Sequence, residues 1–270
     1  MPDHPLLLDI GLLARRAGEA IMVIYREDFD VEMKADFSPL TAADLAAQKV
    51  IVAGLAQIDP QLPVVSEEAS QLPWSQRRQW ERYWLVDPLD GTREFVKRNG
   101  EFTVNIALIE HGQPVLGVVL APVTEELFAA ARGHGAWWQV QSGADWERIS
   151  TRALANPPVA AGSRSHGGSS EDTLRRLLGE EYLLHPLGSS LKFCLIARGS
   201  ADVYLRRGPT SEWDTAAAQC VLEEAGGAVL DLTGKPLHYN RGESLINPEF
   251  VAVGDTDIDW PARLRDAGLP

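Results

Sequence analysis

Residues 83–110, YWLVDPLDGTREFVKRNGEFTVNIALIE, constrain the fold more than any other stretch of this chain. The stretch opens with an apolar run that is typical of the end of a buried strand. Pro88 fixes its own φ and lacks a hydrogen-bond donor, while Gly91 permits backbone angles that other residues avoid. The pattern therefore predicts a buried strand that ends in a stiff turn and projects Asp87, Asp90 and Thr92 toward one point.

The two acids of this turn have two interpretations. Asp-Pro and Asp-Gly are common turn dipeptides, and aspartate often caps a helix, so a purely structural role is one of them. Two close carboxylates, however, repel each other unless a cation lies between them. Carboxylate oxygens suit Mg²⁺, which takes part of its shell from water and substrate phosphate. For the full string DPLDGT after an apolar strand, we favour metal binding.

Composition and charge limit the class of protein. With 270 residues, 45% of them hydrophobic, the chain can bury a large core and form one large domain or two lobes. Its formal net charge of −13 argues against a nucleic-acid polymer as partner, because phosphate backbones need a surface of lysine and arginine. A small phosphorylated substrate stays compatible, since a bound metal ion reverses the local sign of charge.

The chain shows no sign of an oxidising or membrane environment. Cys194 and Cys220 are its two cysteines, and both lie in apolar runs, so we expect buried thiols and a reducing compartment. We recognise no signal peptide after the start MPDHP, and no run of about eighteen apolar residues predicts a membrane span.

The remaining pattern predicts mixed α and β structure. Helices are expected at residues 6–25 and 41–58, a short strand at 63–65, a surface excursion at 69–82 and an antiparallel meander from 102 to 131. Shorter strands then alternate with helices. We expect Asp214 to cap a helix over residues 215–225. We expect Gly188-Ser189-Ser190 to begin a second helix over residues 191–198, and this segment is either an ordinary serine cap or an anion-binding site.

At this point the chain resembles a known family. DPLDGT, with an upstream Ser-Glu-Glu and a downstream Trp-Asp, resembles the Mg²⁺-dependent, lithium-sensitive phosphomonoesterases related to inositol monophosphatase. The strings KADFSPLTAAD, GSSLKFCLIARG and GPTSEWDTAAA are similar to one branch, the bacterial 3'(2'),5'-bisphosphate nucleotidases of the CysQ type. The similarity extends from about the first helix to the last strand, and the tail after about Asp255 does not share it.

The resemblance implies a two-metal site and a set of catalytic residues. Two Mg²⁺ ions, with a third as an open possibility, would be bound by carboxylates and one backbone carbonyl. Glu67 and Thr92 would direct the attacking water, and Asp44 would hold the threonine hydroxyl, although Asp44 also fits a capping box with Thr41. A shift of one position would exchange Glu67 for Glu68. The implied metal ligands are Glu67, Asp87, Leu89 (through its carbonyl), Asp90 and Asp214.

The resemblance also implies the substrate contacts. In the CysQ-like pattern, the segment around Gly188 contacts the sugar and second phosphate of a nucleotide. A role for Arg93, Lys97, Arg98 or Arg164 at the substrate is open. The implied substrate-binding residues are Asp90, Gly91, Thr92, Gly188, Ser189, Lys192 and Asp214.

The fold and activity that the resemblance implies are specific. We expect a layered α/β/α/β/α sandwich of the sugar phosphatase type, with an N-terminal α+β lobe at residues 1–150 and a C-terminal α/β lobe at 151–270. The expected reaction is hydrolysis of the 3'-phosphate of adenosine 3',5'-bisphosphate to AMP, linked to sulfate assimilation, with 3'-phosphoadenylyl sulfate as a further substrate. Inositol monophosphatase or another sugar phosphatase activity is the alternative. We expect a cytoplasmic monomer or homodimer; association with the inner face of the inner membrane is described for the branch, although no anchor is visible.

Overall fold

The computed structural model describes residues 2–33, 39–69, 72–162 and 168–269. Within these ranges the helices are α1 (Pro5–Tyr25), α2 (Ala42–Ile58), α3 (Trp74–Arg77), α4 (Thr92–Val96), α5 (Gly168–Leu178), α6 (Leu191–Ala197), α7 (Glu212–Glu224) and α8 (Trp260–Asp266). None of them, in the part of the chain that is described, is both long and apolar enough to cross a membrane.

The described strands form three sheets. A two-stranded antiparallel sheet contains β1 (Val31–Met33) and β2 (Pro39–Thr41). The large sheet runs in chain order through β3 (Val64–Ser66), β4 (Arg82–Asp90), β5 (Thr103–Glu110), β6 (Gln113–Ala121), β7 (Glu126–Ala131), β8 (Gly135–Gln139) and β9 (Glu147–Ile149). The smaller sheet contains β10 (Val159–Gly162), β11 (Leu183–Pro186), β12 (Val203–Arg206), β13 (Ala228–Asp231) and β14 (Phe250–Val253), in the order β11-β10-β12-β14-β13.

Strand alternation sorts the core of the large sheet into two faces. On β4, Trp84 and Val86 join the hydrophobic cluster that includes α1 and α2, whereas Tyr83 and Leu85 join the cluster that includes α6 and α7. Successive side chains of a strand point to opposite faces, so both faces of this sheet are buried. The same rule places Asp87 on the α7 face, together with Tyr83 and Leu85.

The layers continue on the other side of α6 and α7. Tyr204 and Phe250 of the smaller sheet pack into the same cluster as α6 and α7, while Val203 and Val251 pack with α5 and α8. The order is therefore α1/α2, large sheet, α6/α7, smaller sheet and α5/α8, and the predicted α/β/α/β/α sandwich is confirmed. The division into lobes at residue 150 stays a prediction, because α7 packs against strands of both sheets.

The helix that carries Asp214 begins earlier than the sequence predicted. The N-cap of α7 is Ser211, and Asp214 is its third residue, with Oδ2 accepting a hydrogen bond from the Ser211 backbone N–H at 2.9 Å. The prediction that Asp214 is the N-cap was therefore wrong. The cause is a capping box, Ser211-x-x-Asp214, in which the serine takes the cap position and the acid reaches back to it.

The segment after β3 is anchored by a buried arginine. Arg77 is 1% exposed, and its guanidinium donates to the backbone oxygens of Leu72 and Glu243 and to Asn240 Oδ1 at 2.6–2.8 Å. Asn240 Nδ2 donates back to the Arg77 carbonyl at 2.7 Å. The expected surface excursion is thus tied to residues 240–243 by one side chain. Residues 70 and 71 lie outside the described ranges.

Replacing this anchor is expected to destabilise the protein. Arg77→Met leaves several buried acceptors without a donor, so the free energy of unfolding should fall by ~3 kcal/mol. The neighbouring Arg78 is exposed, and Arg78→Met should change that free energy by less than ~0.5 kcal/mol. Urea unfolding of the two variants measures the difference; equal losses would show that Arg77 is no anchor.

The two thiols are buried and unpaired, as expected. Cys194 lies in α6 and Cys220 in α7, and both are free. Burial raises the pKa of both thiols above the ordinary value, so they stay protonated at neutral pH.

Candidate active site

Three elements bring acids together at one end of the large sheet. β3 ends one residue before Glu67, β4 carries Asp87 and Asp90 at its C-terminal end, and the first turn of α7 carries Asp214. Because β3 and β4 are parallel, their C-terminal ends lie side by side. Asp87 faces α7 by strand alternation, so the acid of the helix meets the acid of the strand.

Glu67, Asp87 and Asp214 form a compact carboxylate cluster. Each contributes an oxygen, and these oxygens all lie within 4.8 Å of one another. Burial, and then repulsion from Glu67, Asp90 and Asp214, raises the pKa of Asp87 well above its ordinary value. Burial also raises the pKa of Asp214, with Asp90 the strongest repelling neighbour. The cluster therefore brings together carboxylates whose mutual repulsion a bound cation would relieve.

The turn after Asp87 departs from the regular β ladder. Asp87 pairs with Asn105 and Asp90 pairs with Thr103, with a register shift between them. Pro88 lies inside this shift and has no N–H to donate. Asp87 Oδ1 accepts the backbone N–H of Leu89 at 3.0 Å, which fixes the carboxylate.

Asp90 is held by groups that sequence reasoning did not find. Its Oδ2 accepts the Ser190 backbone N–H at 2.7 Å and Ser190 Oγ at 3.0 Å, and lies 3.4 Å from Thr103 Oγ1. Asn105 Nδ2 donates to Ser190 Oγ at 3.0 Å. All described hydrogen bonds to Asp90 end on Oδ2, so Oδ1 is the oxygen available to a ligand. This arrangement depends on the register of β4 on β5 and on a contact between residues that are 100 positions apart in sequence. Local sequence patterns therefore do not reveal it.

Thr92 lies against two oxygens. Its Oγ1 is 3.2 Å from Asp44 Oδ1 and 3.3 Å from the Leu89 carbonyl. The other Asp44 oxygen accepts both the N–H and the hydroxyl of Thr41 at 2.7 Å, so one buried carboxylate completes the capping box of α2 and contacts Thr92. A threonine hydroxyl has one proton, and both neighbouring oxygens can only accept it. Its own lone pairs are therefore left for a water.

Two glycines let the Ser189 turn approach the acidic turn closely. Gly91 has φ +91, and an added Cβ would lie 3.3 Å from Ser189 Cβ. An added Cβ at Gly188 would lie 2.7 Å from the Glu101 carbonyl, which excludes any larger residue without a shift of the backbone. Ser189 Oγ is buried and has no hydrogen-bond partner among the described residues. The predicted role of Ser189 in substrate binding stays a prediction.

Lys192 is buried beneath the same turn. It is 4% exposed, and its Nζ donates to the carbonyls of Ser189 at 2.6 Å and Leu187 at 3.2 Å. Burial lowers its pKa to about 8, against the opposing effect of Asp90. The ammonium thus supports the Ser189 turn from below and offsets part of the charge of Asp90. A direct contact between Lys192 and substrate stays a prediction.

The other cations that the sequence singled out lie in different settings. Arg98 donates to the carbonyls of Tyr25 and Glu27 and stacks on the ring of Phe29, so it ties α4 to the chain after α1. Lys97 lies 3.5 Å from Glu94. Arg93 is exposed. Arg164 lies outside the described residues, as does the motif segment at residues 34–38.

The donor set fits a hard divalent cation. It consists of carboxylate oxygens and one turn carbonyl, which suit Mg²⁺ better than softer metals. Burial, and then repulsion between the acids, raises the pKa values of Asp87 and Asp214, and a bound cation would offset both effects. Glu67, Asp87, Asp90, Asp214 and the Leu89 carbonyl would hold it, and each of these assignments stays a prediction.

Without metal, this cluster should make stability depend on pH. The pKa values of Asp87, Asp90 and Asp214 are raised in the folded protein, so the native state binds more protons than the unfolded state above pH ~4. Stability then falls as pH rises. In EDTA, the free energy of unfolding should be higher at pH 5.5 than at pH 7.5, and millimolar Mg²⁺ should restore it at pH 7.5. Urea melts measure it; no difference between the two metal-free values would contradict the expectation.

Comparison with known proteins decides the family. The model of the Inositol monophosphatase family matches residues 5–255. This chain belongs to the inositol monophosphatase family. It is 52% identical over 240 residues to the 3'(2'),5'-bisphosphate nucleotidase CysQ of Escherichia coli strain K12, covering 88% of this chain and 95% of that protein.

Solved structures of family members share the architecture. The crystal structure of CysQ from Bacteroides thetaiotaomicron superimposes with a TM-score of 0.77 at 40% identity, over 91% of this chain and 97% of that one. An inositol monophosphatase from Anabaena superimposes with a TM-score of 0.75 at 25% identity, over 98% and 96%. The family is metal-dependent, and the position of the acidic cluster agrees with that dependence.

Proposed function

We propose that this protein is an Mg²⁺-dependent 3'(2'),5'-bisphosphate nucleotidase that hydrolyses the 3'-phosphate of adenosine 3',5'-bisphosphate to AMP and phosphate. The observation that carries the proposal is the 52% identity to a CysQ nucleotidase over nearly the whole chain, together with an intact acidic cluster. Hydrolysis of 3'-phosphoadenylyl sulfate at the same site, and a role in sulfate assimilation, belong to this proposal.

The carboxylates prepare the site for a phosphate ester. Glu67, Asp87, Asp90, Asp214 and the Leu89 carbonyl would hold divalent cations, and the count of two or three ions is part of the proposal. When bound, these ions neutralise the phosphoryl oxygens and acidify the attacking water. The rigid attachments of Asp87 and Asp90, to the Leu89 N–H and to Ser190, keep these carboxylates in place before the ligands arrive.

The chain's own polar groups then direct the water. The Thr92 hydroxyl donates its hydrogen bond to Asp44 or to the Leu89 carbonyl. Its oxygen therefore accepts a hydrogen bond from the water and orients a lone pair of the water toward phosphorus. Glu67 takes the water proton. A bond forms between the water oxygen and phosphorus while the bond between phosphorus and the 3'-oxygen breaks, and the 3'-oxygen takes up a proton from solvent water. The backbone N–H groups of Gly91 and Thr92 hold the phosphate.

The substrate half of the site distinguishes the nucleotidase from its alternative. An inositol monophosphatase would use the same acids, so the Gly188–Lys192 segment must provide the difference. In the proposal, the unpartnered Ser189 hydroxyl binds the sugar or second phosphate, and Lys192 fixes the turn beneath it. The lower identity to an inositol monophosphatase, 25% against 52%, favours the nucleotidase.

A side-by-side assay tests the proposal. Phosphate release is measured at neutral pH with Mg²⁺ from adenosine 3',5'-bisphosphate, 3'-phosphoadenylyl sulfate and inositol 1-phosphate, with and without lithium. We expect a strong preference for the adenosine bisphosphate and inhibition by lithium or EDTA. Preference for inositol 1-phosphate would keep the metal site and remove the assignment of Ser189 to a nucleotide.

A further inference from the structure

A second pocket lies at the opposite end of β4 from the acidic turn. It has a volume of about 340 Å³. Its walls are the chain between α3 and β4, the β5–β6 turn and the chain after Leu237. Tyr83, at its base, precedes Asp87 by four residues of extended strand, about 13 Å. The pocket is therefore separate from the carboxylate cluster.

The walls of this pocket are fixed by backbone hydrogen bonds. The His111 N–H donates to the Glu81 carbonyl at 2.7 Å, and the Tyr239 N–H donates to the Gly112 carbonyl at 2.9 Å. Asn240, on the third wall, is held by Arg77 at 2.6 Å. Three segments that are distant in sequence are thus joined, and the cavity is formed before any ligand binds.

The pocket presents unused donors in a strongly acidic protein. The guanidinium groups of Arg78 and Arg241 take part in no described hydrogen bond or ion pair. Arg241 lies over the β5–β6 turn, and its Cδ is 3.7 Å from the position that a Cβ on Gly112 would occupy. The pocket also contains His111, and Glu81 is the one acid among the described residues that line it. Two arginines without partners, in a chain of net charge −13, favour an anion.

The pocket offers aromatic surface. Trp80 and Tyr83 lie with ring centroids 6.0 Å apart, and Trp80 is half-buried. Tyr83 is 1% exposed, so it packs behind Trp80, and Trp80 is the ring that a ligand can contact.

From this arrangement we propose that the pocket is a second ligand site, which binds a nucleoside monophosphate. Arg78 and Arg241 hold the phosphate, because the N–H donors of a guanidinium group match its oxygens. Trp80 stacks on the base of the nucleotide. The inference does not rest on the proposed activity, since binding here involves none of the acidic residues.

Equilibrium dialysis with AMP in EDTA tests the proposal, because the metal-free carboxylate cluster repels phosphate. Wild type should bind one AMP per chain, and adenosine and inorganic phosphate should each bind more weakly. The Arg78→Gln/Arg241→Gln double variant should weaken AMP binding about 100-fold, from two lost charge-assisted contacts. Trp80→Leu should weaken it as well, without loss of charge.

The control removes the same charge elsewhere. Arg16→Gln/Arg265→Gln changes two exposed arginines of α1 and α8, which lie outside the pocket, and should leave AMP binding unchanged. Absence of AMP binding by wild type, an equal loss in the control, or unchanged affinity in both Arg78→Gln/Arg241→Gln and Trp80→Leu would each overturn the proposal. Inorganic phosphate binding as tightly as AMP would overturn the nucleoside assignment.

Discussion

Asp87→Asn is expected to lower the rate of phosphate release by about 1,000-fold, or ~4 kcal/mol, and to stabilise the metal-free protein. Asp87 is 1% exposed and belongs to a cluster whose oxygens lie within 4.8 Å of one another. Asparagine has the same shape, and its Oδ1 still accepts the Leu89 N–H, so the turn is kept. The substitution removes one charge from the repelling cluster, which explains both effects.

The two effects are measured separately. Steady-state assays give the rate, and thermal melts in EDTA give the stability; the melting temperature should rise in EDTA and respond less to Mg²⁺ than that of wild type. Asp145→Asn is the matched control, since Asp145 is exposed and outside the cluster. A variant that loses activity and also stability in EDTA would point to a structural rather than a metal-binding role for Asp87.

Thr92→Val should lower kcat by about 100-fold or more while the Mg²⁺ concentration for half-maximal activity stays within about twofold. Valine preserves the shape and removes the hydroxyl that lies 3.2 Å from Asp44 and 3.3 Å from the Leu89 carbonyl. The carboxylates are unchanged, so metal binding persists while the water loses its orientation.

Thr92→Ser is the control, because it keeps the hydroxyl. It should retain most of the activity. Asp44→Asn tests the next contact: it should lower kcat and also destabilise α2 by ~1 kcal/mol, since the same carboxylate caps that helix. If Thr92→Val instead raised the Mg²⁺ requirement in proportion to its loss of kcat, Thr92 would belong to the metal site.

The sequence predicted the parts of the site that depend on local chemistry. The apolar strand and its proline-glycine turn are local, and Asp87, Asp90 and Thr92 do lie at the end of β4. The capping box of Thr41 and Asp44 is local too. The five-layer order came from the resemblance to the family, because local periodicity predicts single helices and strands and does not predict how they pack into layers.

The parts that the sequence did not predict depend on long-range pairing. Ser190 was seen as a cap, whereas its N–H and hydroxyl bind Asp90, a contact set by the packing of α6 on the large sheet. Arg77 looks like a surface charge and is buried because carbonyls from residues 242 and 243 converge on it. The start of α7 could have been predicted from the sequence, because Ser211-x-x-Asp214 is a capping-box signature.

Product analysis of adenosine 3',5'-bisphosphate is the most direct test of the central claim. The purified protein is incubated with the nucleotide and Mg²⁺, and the products are separated by chromatography that resolves 5'-AMP from 3'-AMP. The account predicts 5'-AMP and one equivalent of phosphate, formed by wild type and almost absent with Asp87→Asn. Formation of 3'-AMP, or an unchanged nucleotide alongside rapid hydrolysis of inositol 1-phosphate, would contradict it.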